Sequence, residues 1–112
     1  MRYKYNLLQL YYVTIRLLKE LHGDLDRSYW LQKINNEKGV RKIMYMCMID
    51  NNKETLCKHI YTKDDEVINN LINENGGIEN FLFKWNKELD YFKEELYKTK
   101  KINYEEDNYS GN

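Results

Sequence analysis

Ile78, Phe81, Leu82, Trp85, Leu89, Phe92 and Leu96 fall on one stripe at the 3.6-residue period of an α-helix. A helix of this length with one apolar face cannot stand alone in water, so the rest of the chain has to supply the surface that covers it. Trp85 sits at the middle of the stripe and is expected to be buried. A chain of 112 residues has room for one domain with a modest core.

A second helix is expected over Tyr5–His22. Leu7, Leu8, Leu10, Tyr11, Val13, Ile15, Leu17, Leu18 and Leu21 cover a wide arc, and a narrower polar side runs through Asn6, Gln9, Arg16, Lys19 and Glu20. Such an arc suits a helix covered on more than one side, and Gly23 stands where a C-terminal cap belongs. The apolar stretch Leu7–Leu18 follows Met1-Arg2-Tyr3-Lys4 as in an export signal. However, Gln9, Thr14 and Arg16 interrupt it, and no small-residue cleavage site follows. It is also shorter than the roughly 20 apolar residues that a bilayer requires. The expectation is a cytoplasmic protein with no membrane role, in which Cys47 and Cys57 are reduced thiols.

Between the helices lie three short runs with turn signals. Ser28–Asn35 ends in Asn36-Glu37-Lys38-Gly39, Val40–Ile49 ends in Asp50-Asn51-Asn52-Lys53, and Glu54–Thr62 closes the set. Residues 43–49 are continuously apolar, as in a central strand covered on both faces. The reading is a three-stranded antiparallel meander with Gly39 at positive φ, and a short helix over 40–49 is the alternative. Asp64-Asp65-Glu66 then opens a helix that runs to about Asn73 and stops at Asn75-Gly76-Gly77. The expected fold is α+β in the order α-β-β-β-α-α. Residues 1–100 form a single domain with the sheet packed against helices, and 101–112 form a polar, acidic C-terminal tail.

Counting registers across two four-residue loops puts Tyr29, Leu31, Met44, Met46, Met48, Cys57, His59 and Tyr61 on one sheet face. Trp30, Ile34, Ile43, Tyr45, Cys47, Ile49, Leu56 and Ile60 fall on the other. Met44, Met46, Met48, Cys57 and His59 make a soft-ligand set of the kind Cu(I) takes. No Cys/His ligand spacing accompanies it, so packing and partner binding are the preferred readings and no metal or cofactor is expected. No nucleophile motif, Gly-rich phosphate loop or metal-binding helix motif is present, and no catalytic residue is assigned.

Net charge is zero, yet residues 1–63 carry 12 Lys/Arg against 6 Asp/Glu, while residues 64–112 carry 6 against 12. The basic half invites a nucleic-acid reading through Lys33, Lys42, Lys53, Lys58 and Lys63. Helix–three strands–helix resembles the layout of the double-stranded RNA-binding domain. That family's lysine cluster falls here on Thr62-Lys63-Asp64-Asp65-Glu66, which would repel phosphates, so the family is rejected.

The preferred function is a non-enzymatic protein-binding module. There are eleven Tyr, three Phe and two Trp, and the surface candidates for partner binding are Tyr12, Met44, Met46, His59, Tyr61, Phe83, Tyr91 and Tyr97. The order of elements also resembles small phage-encoded anti-CRISPR inhibitors, without a shared motif. That resemblance implies an inhibitor that occupies the surface of a nuclease or defence complex in a host cytoplasm. Opposed charge halves make a homo-oligomer the competing partnership, and nucleic acid is the alternative ligand. The scarcity of residues with GC-rich codons, with no Ala or Pro at all, points to an AT-rich genome.

Overall fold

A computed structural model describes residues 7–49, 58–60, 62 and 64–110, with side chains as far as Lys100. The described elements are helices: α1 (Leu7–His22), α2 (Arg27–Asn36), α3 (Val40–Ile49), α4 (Glu66–Glu74) and α5 (Ile78–Ser110), with a helical turn at 58–60. Among the described residues there is no strand.

The α+β expectation is therefore wrong at its centre. Residues expected in the first two strands form α2 and α3, and residues 58–60, assigned to the third strand, are helical. The Asp50–Lys53 loop, Leu56, Cys57, Tyr61, Lys53 and Lys63 lie outside the described residues. Two local causes favour helix. Asp26 caps α2, its carboxylate accepting from the Tyr29 backbone N–H at 3.1 Å, a bond that serves the free donors of a helix start. In α3 the buried residues include Val40, Ile43, Met44 and Cys47, an i, i+3, i+4, i+7 set that a strand would divide between two faces. Because Tyr45 is buried as well, the run looks uniformly apolar, and its helical period is masked.

α2 and α3 pair as an antiparallel helical hairpin. Arg27 Nη1 donates to the Ile49 carbonyl at 3.2 Å at the open end, and Lys42 Nζ donates to the Ile34 carbonyl at 3.3 Å at the turn end. Gly39 makes the turn, at φ +66°. The positive φ expected there is present, but it joins two helices rather than two strands. The stop expected at Asn75-Gly76-Gly77 is also found. Gly76 has φ +89°, and a Cβ there would lie 2.6 Å from Asn80 Nδ2, so only glycine fits without a shift. Asp65 caps α4 by accepting from the Ile68 N–H at 3.1 Å, as its acidic start implies.

The stripe on α5 is the axis of the core. Phe81, Leu82, Trp85, Leu89 and Phe92 are buried, with Ile78 and Leu96 packed at the ends. α1 and α3 lie against this helix, and α3 also touches α1. Leu10, Tyr11, Leu17 and Leu18 of α1 are buried as its wide arc requires, while Leu8 and Tyr12 face outward. α5 runs 33 residues without a break, across the point where the polar tail was placed. At 1.5 Å per residue that is roughly 50 Å.

This packing also rearranges the charges. Arg41 pairs with Glu88 at 2.7 Å and Lys100 faces Glu20 at 3.6 Å, each pair joining a residue of the basic half to one of the acidic half. The two halves lie against each other along the α1–α5 and α3–α5 contacts, and these two ion pairs cross between them.

Candidate functional site

α5 carries three of the exposed aromatic side chains of the described fold, Phe83 at 45%, Tyr91 at 47% and Tyr97 at 67% relative exposure. Phe83 and Tyr97 are fourteen residues apart, nearly four whole turns, so they line one side of the helix roughly 21 Å apart. Tyr91 is turned round the helix toward α3. There Arg41 places its guanidinium 5.2 Å from the Tyr91 ring centre and 5.1 Å from that of Phe92, while Arg41 Nε donates to Glu88 Oε2 at 2.7 Å. A hydrogen bond to Glu95 pushes the Tyr91 phenol above its ordinary range. Lys87 Nζ lies 4.8 Å from the centre of the Phe83 ring. Phe83 and Tyr91 thus each have a cation beside the ring.

The other expected partner-binding residues are dispersed. Tyr12 is exposed on α1, edge-on to Tyr11 with ring centres 5.7 Å apart. Met44 is fully buried, and Met46 is half-buried on the opposite side of α3. His59 is half-buried in the 58–60 turn, where its Nδ1 lies 2.6 Å from Asp64 Oδ1. That bond holds the Asp64 carboxyl below its ordinary range. The Met/Cys/His face disappears with the sheet. Residues two apart on a helix point about 200° apart, so Met44 and Met46 do not converge. Among the described residues no group of three or more His, Cys, Asp or Glu is placed to hold a metal.

The lysines named for nucleic acid are also scattered. Lys33 on α2 leans over the Tyr29 ring at 5.7 Å, Lys42 on α3 is tied to the Ile34 carbonyl, and Lys58 is exposed in the 58–60 turn. A different set of cations does converge. An open groove of about 430 Å3 lies between the α2–α3 turn and α5, lined among others by Lys38, Arg41, Asn75, Lys84, Lys87 and Glu88. A second open groove of about 460 Å3 flanks the same turn on the α4 side, between Lys42 and the apolar Val67 and Leu71. Lys84 and Lys87 were missed because they sit in the acidic half, where counting charge by halves hides them. Their i, i+3 spacing beside Phe83 was the available signal.

The described residues define a small helical domain with amphipathic outer surfaces. The chain matches no protein-family model, no curated protein and no solved structure. Among the described residues no helix is long and apolar enough to cross a membrane.

Proposed function

We propose that this chain is a small non-enzymatic protein-binding module that works in the cytoplasm by occupying a partner's surface. The observation that carries the reading is the exposure of Phe83, Tyr91 and Tyr97 along one rigid helix. Aromatic side chains have only two side-chain torsions to immobilise, and they are enriched at binding hot spots. A helix already held by its buried stripe presents them with little further ordering cost. The likeness to anti-CRISPR inhibitors rested on three strands and is withdrawn with them, so the reading stands on the α5 face alone.

The test is capture with the intact chain beside a Phe83→Ala/Tyr97→Ala variant. Both side chains are exposed, so the variant is expected to keep its helical circular dichroism and melting temperature. A partner held by the wild type and lost by the variant supports the module. Capture that is indifferent to both residues removes the α5 face from the function.

A further inference from the structure

Cations from both charge halves meet in the groove between the α2–α3 turn and α5. Lys38 and Arg41 come from the turn and the start of α3, and Lys84 and Lys87 come from α5. Glu37 and Glu88 are the carboxylates in the same lining, and Glu88 is already engaged by Arg41 at 2.7 Å. The α5 lysines have neutral neighbours instead. Lys84 Nζ donates to Asn75 Oδ1 at 3.2 Å, and Lys87 Nζ lies over the Phe83 ring at 4.8 Å. Both side chains are therefore held by neutral groups in the groove lining, where an incoming anion can reach them.

We propose that this groove binds an acidic peptide segment of the partner, with Lys84 and Lys87 as its carboxylate-binding residues. The proposal rests on the protein-binding reading above and names the chemistry of the partner. Charge complementarity sets the sign of the ligand, since with Arg41 and Glu88 paired to each other three cations, Lys38, Lys84 and Lys87, face the one carboxylate of Glu37. The exposed Phe83 beside Lys87 offers an apolar contact next to the charge, which suits a peptide carrying acidic and apolar residues together. Further along α5 the charge is mixed, with Asp90, Glu94 and Glu95 interspersed with Lys93, Lys98 and Lys100, so the cationic surface is confined to the groove. A groove of this size suits a short acidic segment, whose charges fall on a few side chains rather than on every unit of a long backbone.

The test uses the full chain and a fluorescein-labelled hexaglutamate peptide, followed by fluorescence anisotropy at low and at physiological salt. Saturable binding that weakens as salt rises is expected. Lys84→Gln/Lys87→Gln should weaken it by about tenfold. Lys33→Gln/Lys58→Gln removes the same charge elsewhere and should change it by less than about twofold. Equal weakening by both pairs would reduce the effect to net charge and overturn the site, as would the lack of saturable binding by the wild type. Tighter binding of a short DNA duplex through the same two lysines overturns the peptide assignment. So does self-association that depends on them, with no peptide bound, because a second copy would then be the occupant. A negative peptide result with capture still dependent on Phe83 and Tyr97 removes the groove and leaves the module standing.

Discussion

The indole Nε1 of Trp85 donates to Thr14 Oγ1 at 2.8 Å, and the same hydroxyl donates onward to the Leu10 carbonyl at 2.6 Å. Trp85 and Thr14 are both fully buried, and the bond joins positions 71 residues apart on the two longest helices. It resolves the conflict of a polar hydrogen deep in an apolar core, since a buried indole N–H needs an acceptor. Thr14→Val keeps the shape of the side chain and removes that acceptor. The variant is expected to lose about 1–3 kcal/mol, measured as a lower urea midpoint at unchanged m-value. Thr14→Ser keeps the acceptor, loses one buried methyl group and should cost about 1 kcal/mol.

Trp85→Ala removes the centre of the α5 stripe and the edge-on contact with Phe81, whose ring centre is 6.1 Å away. The expected loss is about 3–5 kcal/mol, from lost burial and the cavity left behind. Trp85→Phe should lose less, because it keeps an aromatic ring at the site. A loss for Trp85→Ala below about 1 kcal/mol would remove it from the core.

The helical state of residues 27–36 has its own test. Asp26 serves the start of α2 through Tyr29 N–H and is fixed by Ser28 Oγ at 2.7 Å; the Ser28 bond is the first cause of its lowered carboxyl pKa. Asp26→Ala should reduce helical ellipticity and speed amide exchange over the first turn of α2, an effect that a strand at 28–35 would not show. The matching change at the other cap, Asp65→Ala, should cost about 1 kcal/mol in thermal or urea unfolding.

Met44 and Phe83, grouped together as surface candidates on the sequence, should separate cleanly on mutation. Met44 is fully buried and Phe83 is largely exposed. Met44→Ala is expected to cost about 2–5 kcal/mol, and Phe83→Ala to stay within about 0.5 kcal/mol. Similar losses at the two positions would contradict the packing of α3.

His22 gives the fold a dependence on mildly acidic pH. Its ring meets Tyr29 and Trp30, with centres 6.3 and 5.9 Å away, and burial followed by the charge of Lys33 lowers its pKa below the ordinary 6.5. The unfolded chain therefore binds the proton first as pH falls. The stability contribution is fully present above pH 6.5 and is lost as pH drops through the lower folded value. Asp26 and Asp64 titrate below the ordinary carboxylate value of 3.8, well clear of this window. His22→Gln should flatten unfolding stability just below pH 6.5, measured by urea titration at stepped pH.

Much of the chain was readable because its signals are local. The buried face of α5 follows from apolar spacing, and Trp85 is buried as that spacing requires. The Asp65 cap, the positive φ of Gly39 and the stop at Gly76 each depend on residues within one turn. The candidate site was less readable. Phe83, Tyr91 and Tyr97 were found because they fall off the stripe, whereas Lys84 and Lys87 acquire their meaning only beside Lys38 and Arg41.

The spacing of apolar residues and the chemistry of caps and glycines were enough to place α1, α4 and α5, since a helix buried along one face writes that face into its period. Residues 28–49 carry a weaker signal: Asp26 caps α2, but the apolar period of α3 is masked by the apolar residues between its buried positions. An apolar run like 43–49 satisfies a central strand and a covered helix equally, and its short turn with glycine joins either pair. The choice fell to the available partners. α1 and α5 offer long apolar surfaces that α3 covers as a helix, with α2 folded back upon it. The same packing laid the basic half along the acidic one and assembled a cationic groove from positions more than forty residues apart. Burial is shared among elements distant in sequence, so its outcome cannot be read from any one of them.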